Sequence, residues 1–181
     1  MIRFLPRPTV IIAAVAALSG GTAFAIQNKD TVAVPNGLAM FEFKGYEGWQ
    51  VITVSKAKVG NDDVINAILG NPEMIETFKA GFPGNGKTVP DGARMAKIHW
   101  KTKTNEDFPN KAVGPDTLHD IDFMVKDSKR FAATGGWGYA QFNYEAATDT
   151  LSPLGTGAAC GYACHTLVKT RDYVFNAYPT R

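Results

Sequence analysis

The side-chain alternation of residues 93–101, whose sequence is ARMAKIHWK, decides the fold class. Successive side chains of a β-strand point to opposite faces of a sheet, so Met95, Lys97 and His99 would share one face. The opposite face would carry only apolar side chains, those of Ala96, Ile98 and Trp100. We therefore predict a strand at residues 93–101, with one apolar face and one face that carries ionisable groups.

The segments on either side predict a mixture of strands and short helices. Three more strands are indicated by β-branched or alternating residues, at Gly48–Ser55, His119–Val125 and Trp137–Tyr144. Helices are predicted from a cap at Asp62-Asp63 through Leu69, from Asn71 and Pro72 onwards, as a short turn at Lys126–Phe131, and over His165–Phe175. Residues 26–40 are expected to be a loosely docked lead-in, and residues 81–92 and 147–157 to be loop. The expected fold is a small, single-domain α+β fold, rich in antiparallel β-sheet with a few short helices.

Length and composition agree with one ordinary globular domain. The chain has 181 residues, of which 45% are hydrophobic, and it offers 11 Phe, 6 Tyr and 3 Trp for a core. This content excludes a disordered chain, and the length is too small for two well-formed cores.

The first 25 residues have the pattern of an export signal. Arg3 and Arg7 precede the apolar run Val10–Leu18, and Ala23-Phe24-Ala25 is a small-x-small cleavage site. Nine apolar residues are too few for a membrane-spanning helix. We predict cleavage after Ala25, a mature domain at residues 26–181, and a location in the periplasm with no membrane attachment.

The mature domain has no surplus of charge. Arg3 and Arg7 are two of the 19 basic residues, so residues 26–181 contain 17 basic and 17 acidic residues. Binding to nucleic acid or to an anionic membrane is therefore not expected, because both need a basic surface.

The residues best suited to bind a cofactor lie near the C-terminus. They are Cys160 and Cys164, the two cysteines of the chain, and His165, which directly follows Cys164. Covalent c-type haem is normally carried by C-x-x-C-H, in which both thiols bind the porphyrin and the histidine ligates iron. Here the motif is one residue longer, and both thiols would still lie within one helical turn of the histidine. The spacing alone leaves open a disulfide between the two cysteines, which an oxidising compartment favours.

Five segments resemble the cytochrome P-460 family of exported c-type haem proteins, a group that includes the cytochrome c′-beta proteins. They are EGWQVITV at residues 47–54, PDGARMAKIHW at 90–100, DIDFMVKDSKRF at 120–131, TGGWGYAQF at 134–142 and CGYACHTLVKTRDYVFNAY at 160–178. The resemblance implies one covalently attached haem c, with thioether bonds to Cys160 and Cys164 and with His165 as the proximal iron ligand. It also implies a β-rich fold and a homodimer.

The resemblance assigns roles to two further residues. Lys97 stands in a DG-x-x-x-x-K pattern, where cytochrome P-460 members bond a lysine to the porphyrin edge. Asp122 stands at the position of a distal carboxylate, a glutamate in the hydroxylamine-oxidising members, which would accept substrate protons. Asp122 is one methylene shorter than glutamate, and Asn66 corresponds to an arginine of those members.

The expected function follows from the resemblance. It is a periplasmic mono-haem protein that acts on small nitrogen compounds, as an oxidoreductase that converts hydroxylamine to nitric or nitrous oxide and passes electrons to a periplasmic redox protein. One alternative is binding of nitric oxide without turnover, as in cytochrome c′-beta. Another is electron transfer alone, with Met95, His99 or His119 as a second axial ligand.

Overall fold

The chain forms one six-stranded antiparallel sheet whose strands follow one another in sequence order. The structure is a computed structural model that describes residues 26–35, 38–154 and 158–179, without the side chains of residues 158–160. The strands are β1 (Gln50–Val59), β2 (Asp62–Gly70), β3 (Arg94–Thr104), β4 (Val113–Lys126), β5 (Trp137–Glu145) and β6 (Thr150–Pro153). The predicted small, single-domain α+β fold is confirmed, whereas the predicted signal peptide lies outside the described residues.

Short helices flank the sheet. The α-helices are α1 (Pro72–Lys79) and α2 (Ala158–His165), and 3₁₀ helices occupy Lys29–Thr31, Met40–Phe43, Tyr46–Gly48, Ala132–Thr134 and Thr166–Arg171. Helix α1 begins as the sequence predicts, because the Asn71 side chain accepts a hydrogen bond from the Met74 backbone N–H at 3.1 Å and Pro72 is the first helical residue. No helix in the described part of the chain is long and apolar enough to cross a membrane.

The predicted helix from Asp62 to Leu69 is wrong, because this segment is strand β2. Val59 pairs with Asp62, so β1 and β2 are joined by a two-residue hairpin connection in which Gly60 has φ +58°. Glycine tolerates this positive φ at a tight turn. The strand is rich in β-branched residues and pairs with β1 on one side and β3 on the other, which outweighs the capping pattern.

Other parts of the chain also differ from the predictions, among them the turn predicted as helical at Lys126–Phe131, where Lys126 instead ends β4. The lead-in at residues 26–40 is not loosely docked, since Val34 and Leu38 are fully buried in the core. The loop predicted at 147–157 contains β6, and β2 and β6 together raise the number of strands from four to six. The helix predicted over His165–Phe175 is instead the last residue of α2 followed by the 3₁₀ helix Thr166–Arg171.

Each face of the sheet packs into its own hydrophobic core. The first face packs against the N-terminal 3₁₀ helices, with the Phe43 and Phe123 rings stacked at 4.0 Å between centroids. The second face packs against α1 and the segment after α2, and its core includes Met95 and Tyr139. The alternation predicted for residues 93–101 is confirmed, because Ala96 and Ile98 belong to the first core and Met95 to the second. Lys97 therefore faces the second core.

Candidate functional site

A cavity of about 410 Å³ lies on the second face of the sheet, beneath α2 and the segment that follows it. Four of the five predicted site side chains line it, Lys97 from β3, Asp122 from β4, and Cys164 and His165 from α2. Most of its other walls are apolar and include Ile68, Met95, Met124, Tyr139, Leu154 and Phe175. The side chain of Cys160 is the fifth and lies outside the described residues. The fold thus brings together residues that are far apart in the sequence.

A second cavity, of about 510 Å³, lies at the first face and is lined by residues such as Met40, Tyr46 and Leu118. None of its described lining residues is a cysteine or a histidine. Although this cavity is the larger of the two, it contains none of the predicted site residues. We therefore place the site in the cavity on the second face of the sheet, which Lys97, Asp122, Cys164 and His165 line.

His165 is oriented by a backbone carbonyl. Its Nδ1 lies 2.6 Å from the carbonyl oxygen of Tyr173, and because a carbonyl only accepts hydrogen bonds, Nδ1 carries the proton. Nε2 is then the nitrogen with a free lone pair, which is the form that ligates a metal. Burial lowers the pKa of His165, as does the nearby charge of Lys97, while the bond to Tyr173 opposes the shift. The net lowering of its pKa favours the neutral imidazole.

The position of the Tyr173 carbonyl depends on a buried ion pair. Lys126 Nζ lies 2.8 Å from Asp172 Oδ1, and both side chains are about nine-tenths buried. Asp172 also accepts hydrogen bonds from the Val89 backbone N–H at 2.7 Å and from the Trp137 indole at 3.3 Å. Asp172 and Tyr173 both have positive φ, +45° and +63°. This turn directs the Tyr173 carbonyl back towards His165, and nothing in the sequence pattern had indicated it.

Helix α2 packs directly on β5 through a glycine inside the cysteine motif. A Cβ atom built on Gly161 would lie 2.7 Å from the Cβ of Tyr139, closer than such atoms approach. The ring of Tyr139 in turn lies 5.1 Å from the His165 ring, measured between centroids. The Cys164 side chain is exposed and contributes to the cavity wall. Gly161 therefore lets the helix that carries Cys164 and His165 approach the sheet.

Lys97 and Asp122 are direct cross-strand partners on β3 and β4. Side chains opposite one another on an antiparallel pair share a face, so both reach the cavity from its sheet side. The next residues in this row are Ile68 on β2 and Gln141 on β5. The sheet wall of the cavity thus presents an amine and a carboxyl group side by side, opposite the helix that bears His165.

The Asp122 carboxyl group has a raised pKa. Burial raises its pKa to about 6, and the nearby Asp120 charge adds to the shift, while His99 and Lys97 oppose it. Among the described residues its Oδ1 is buried without a hydrogen-bond partner. A carboxyl group that titrates near neutral pH is suited to accept and release protons.

His99 and His119, considered from the sequence as spare ligands, both contact Asp120. His99 Nδ1 lies 2.5 Å from Asp120 Oδ1, and the His119 Nδ1 is bonded to the other oxygen of that carboxylate. Asp120 is fully buried and His99 nearly so. Neither histidine is among the residues that line the cavity, whereas Met95 is. The sequence did not indicate that Asp120 contacts both histidines. A register shift after the His99–Asp120 pair places His119 and Asp120 on this side of the sheet, and such a shift cannot be read from strand alternation.

Asn66, where the resemblance would place an arginine, also lies on this face of the sheet. It is the cross-strand neighbour of His99, is almost fully buried, and has its Nδ2 atom 3.5 Å from Ser55 Oγ. A neutral amide therefore occupies the position, and it is held inside the sheet.

The residues around the cavity fit a c-type haem. The apolar walls suit the faces of a porphyrin, and His165 has Nε2 available for iron. Cys164 adjoins His165 and lines the same cavity, as attachment through a thioether requires. The unpartnered Asp122 Oδ1 provides a polar group for a small ligand on the sheet side.

Comparison with known proteins agrees with this geometry. The family model described as Cytochrome P460 matches residues 43–176, about three quarters of the chain. A comparison of the chain with curated proteins found no match. The matched span contains all six strands, both α-helices and the five predicted site residues. The resemblance inferred from the sequence is confirmed. The chain belongs to the cytochrome P460 family, whose members are haem proteins.

Proposed function

We propose that the chain is an exported cytochrome with one haem c that oxidises hydroxylamine to nitric or nitrous oxide. Cys160 and Cys164 would attach the haem and His165 would be its proximal ligand. The observation that supports this best is that one cavity, of about 410 Å³, is lined by His165 and Cys164 together with Lys97 and Asp122. The first pair can hold the cofactor, and the second pair supplies groups for chemistry on a small ligand.

The reaction places a specific demand on the residues of the chain. Oxidation of hydroxylamine to nitric oxide releases three electrons and three protons. The haem, when bound, supplies the iron that binds the substrate and takes up the electrons. Asp122 acts as the proton acceptor, since its raised pKa lets it take and release protons near neutral pH. His165 holds the cofactor, and Lys97 bonds to its edge.

The setting of this reaction is part of the proposal. The segment at residues 1–25 directs export and is cleaved after Ala25, so the mature protein works in the periplasm. Its electrons pass to another periplasmic redox protein, and the active form is a homodimer. Family membership supports export, and the balanced charge of residues 26–181 argues against binding to nucleic acid or to an anionic membrane.

Binding of nitric oxide without turnover is the second candidate, and two residues favour it. Asp122 is shorter than the glutamate of the hydroxylamine-oxidising members, and Asn66 provides no cation. Electron transfer alone would require a sixth ligand, for which Met95 lies in the cavity wall. Optical spectra separate these cases, because a six-coordinate haem gives sharp low-spin bands.

Replacing Lys97 tests the proposal. We expect the wild-type holoprotein to have a strongly displaced ferrous Soret band, and Lys97→Ala to have an ordinary high-spin c-type spectrum. The bond to the porphyrin edge changes the electron density of the macrocycle, so its loss should abolish hydroxylamine turnover and leave nitric oxide binding intact. Lys101→Ala is the matched control, since Lys101 lies four residues further along β3 and pairs with Asp62 at 3.0 Å. A wild-type tryptic haem peptide without a Lys97 fragment would contradict the cross-link and favour gas binding.

The rate of turnover should depend on the ionisation of Asp122. Its pKa of about 6 means that the carboxylate accepts protons above this pH and is already protonated below it. We expect turnover to rise with pH through about 6, and Asp122→Asn to be slow and to lose this rise without a change of spectrum. The ionisable groups that face Asp122 are Lys97, His99, Asp120 and His165. Asp116→Asn, at an exposed position on β4, should keep the wild-type profile. A wild-type rate that is flat between pH 5 and 7 would contradict the role of Asp122.

A further inference from the structure

We propose that Asn66, His99, Asp120 and Asp122 form a binding site for a divalent transition-metal ion, such as Zn²⁺, on the sheet side of the cavity. This site is separate from the iron that His165 would hold. It does not rest on the proposed function, because the four side chains could bind a cation whichever reaction the haem supports.

Three neighbouring strands bring the four side chains together. Asn66 on β2, His99 on β3 and Asp120 on β4 are consecutive cross-strand partners, and such partners share a face of the sheet. Asp122 lies two residues further along β4, so it belongs to the same face. His99, Asp120 and Asp122 each offer one ligand atom within 4.8 Å of the other two. The strand register thus forms a compact group of one imidazole, two carboxylates and one amide.

Three of these side chains carry a buried polar atom that no hydrogen bond satisfies. Among the described residues, these atoms are Asn66 Oδ1, His99 Nδ1 and Asp120 Oδ1. The three residues are between 0% and 3% exposed. Buried polar side-chain atoms are nearly always paired, and an ion is one of the partners that satisfies them. An oxygen, a nitrogen and a second oxygen in this state, on adjacent strands, therefore point to a cation.

His99 Nδ1 faces both carboxylates. It lies 2.5 Å from Asp120 Oδ1 and 3.9 Å from Asp122 Oδ2, but neither contact has the geometry of a hydrogen bond. Zinc binds imidazole nitrogen and carboxylate oxygen at about 2.0–2.2 Å, so two ligands at tetrahedral angles are about 3.3–3.6 Å apart. The two distances from Nδ1 bracket this separation. Small rotations of the two carboxylates would therefore place all three atoms around one ion.

The charges of the two carboxylates favour a divalent cation. Burial raises the pKa of Asp120, but its contacts and charge interactions with His99 and His119 outweigh burial and lower it. Asp120 is therefore ionised, and its charge adds to the effect of burial on Asp122. Lys97 offsets part of the Asp122 charge, but it lies opposite Asp122, two positions along β3 from His99. A divalent ion would neutralise both carboxylates at once.

The surroundings of the two carboxylates also suit a metal site. Asp120 Oδ2 is bonded to His119 Nδ1, which fixes this carboxylate and leaves Oδ1 for the ion. Carboxylates that ligate metals are themselves commonly held by such outer hydrogen bonds. The Asp122 side chain is 35% exposed and lines the cavity, whereas that of His99 is 4% exposed. An ion would therefore reach the site from the cavity, past Asp122.

The donor set selects the class of metal. One imidazole with oxygen ligands suits Zn²⁺, Mn²⁺ or Fe²⁺, whereas Cu⁺ favours thiolate or thioether and Mg²⁺ and Ca²⁺ favour oxygen alone. Zn²⁺ is the most direct probe, because it has no redox chemistry and takes four ligands. A bound ion would also keep Asp122 ionised, so the pH dependence of turnover expected above applies to protein treated with EDTA.

Zinc binding to the holoprotein tests the site. After treatment with EDTA, equilibrium dialysis with elemental analysis should show one Zn²⁺ per chain. His99→Leu removes the imidazole and Asp122→Asn removes one carboxylate, so each should weaken binding by at least about 10²-fold, beyond the loss typical of an outer contact. Asp122→Asn changes a less buried residue, so it decides the question if His99→Leu does not fold. Zinc should also raise the denaturant midpoint of the wild type but not that of Asp122→Asn.

His119→Gln is the matched control. Glutamine can still donate a hydrogen bond to Asp120, so zinc binding should fall by less than about 10-fold. X-ray absorption of the bound zinc should show nitrogen and oxygen ligands at about 2.0–2.2 Å, with one imidazole among them. These measurements do not depend on hydroxylamine turnover, so failure of the proposed function leaves them intact.

Three results would overturn the metal site. The first is a wild-type holoprotein that binds no zinc. The second is zinc binding that His99→Leu and Asp122→Asn leave unchanged. The third is a loss in His119→Gln as large as that in Asp122→Asn, which would place the ion at His119 and Asp62, whose Nε2 and Oδ2 atoms lie 3.5 Å apart nearer the surface.

Discussion

Replacing both cysteines in a Lys97→Ala background, in the variant Lys97→Ala, Cys160→Ala, Cys164→Ala, should leave the denatured chain at the mass of the polypeptide alone, because neither thioether bonds nor the proposed lysine bond can then hold the haem. The wild-type chain, produced with periplasmic haem-attachment machinery, should weigh one haem more after denaturation. The reason is that thioether bonds to the two thiols survive unfolding, whereas a bond from His165 to iron does not. Intact-mass spectrometry of the two proteins measures the difference directly.

Single variants sharpen this test. Cys164→Ala and Cys160→Ala should each retain the haem mass through the remaining thioether bond, so only the variant that lacks Lys97 and both cysteines should lose it. His165→Ala should keep the mass but alter every visible band, because the thioethers remain while the proximal ligand is lost. A colourless wild-type protein whose mass is two protons below that of the reduced polypeptide would instead establish a Cys160–Cys164 disulfide.

The variant Asp172→Asn should lower the free energy of unfolding by about 3–5 kcal/mol, as expected when one partner of a buried ion pair is removed. Asparagine tolerates the positive φ of this residue and can still accept the bond from Val89, but its NH2 group then replaces the oxygen that accepts from Lys126 and from the Trp137 indole. Lys126 would be left buried without its counter-ion. Denaturant unfolding of the purified holoprotein measures the effect.

Two controls accompany the Asp172 variant. Asp149→Asn removes the partner of Lys29 in an exposed pair and should cost much less than Asp172→Asn. Adding Lys126→Met to Asp172→Asn should recover part of the loss, because it removes the unpaired charge. If Asp172→Asn costs no more than Asp149→Asn, the ion pair does not hold the turn that orients His165.

Alternation and capping patterns gave the parts of the fold that depend on local sequence. The two faces of residues 93–101 and the cap of α1 at Asn71 were predicted correctly, because each follows from neighbours in the chain. Strand β2 was predicted wrongly as a helix, because its pairing with β1 and β3 outweighs the cap-like Asp62-Asp63 pattern. Pairing with distant strands is not visible in a local sequence pattern.

In the candidate site, too, the sequence predicted the main residues but not the contacts that position them. The predicted residues Lys97, Asp122, Cys164 and His165 do meet in one cavity. Their supporting contacts were missed, because they depend on a β-bulge and on a turn with positive φ. The carbonyl of Tyr173 that orients His165 is a backbone group, which no residue-type pattern reports.

The order of the strands has a consequence for how the holoprotein is assembled. Every pairing in the sheet joins strands that are neighbours in the sequence, and the longest connection, residues 71–93 between β2 and β3, contains helix α1, so the entropic cost of loop closure is small. None of these pairings uses α2, which follows the last strand in the chain. We therefore expect the sheet wall of the cavity to fold early, while the cysteine segment is still accessible to an attachment enzyme. Docking of α2 through Gly161 would then close the cavity as the last step of maturation.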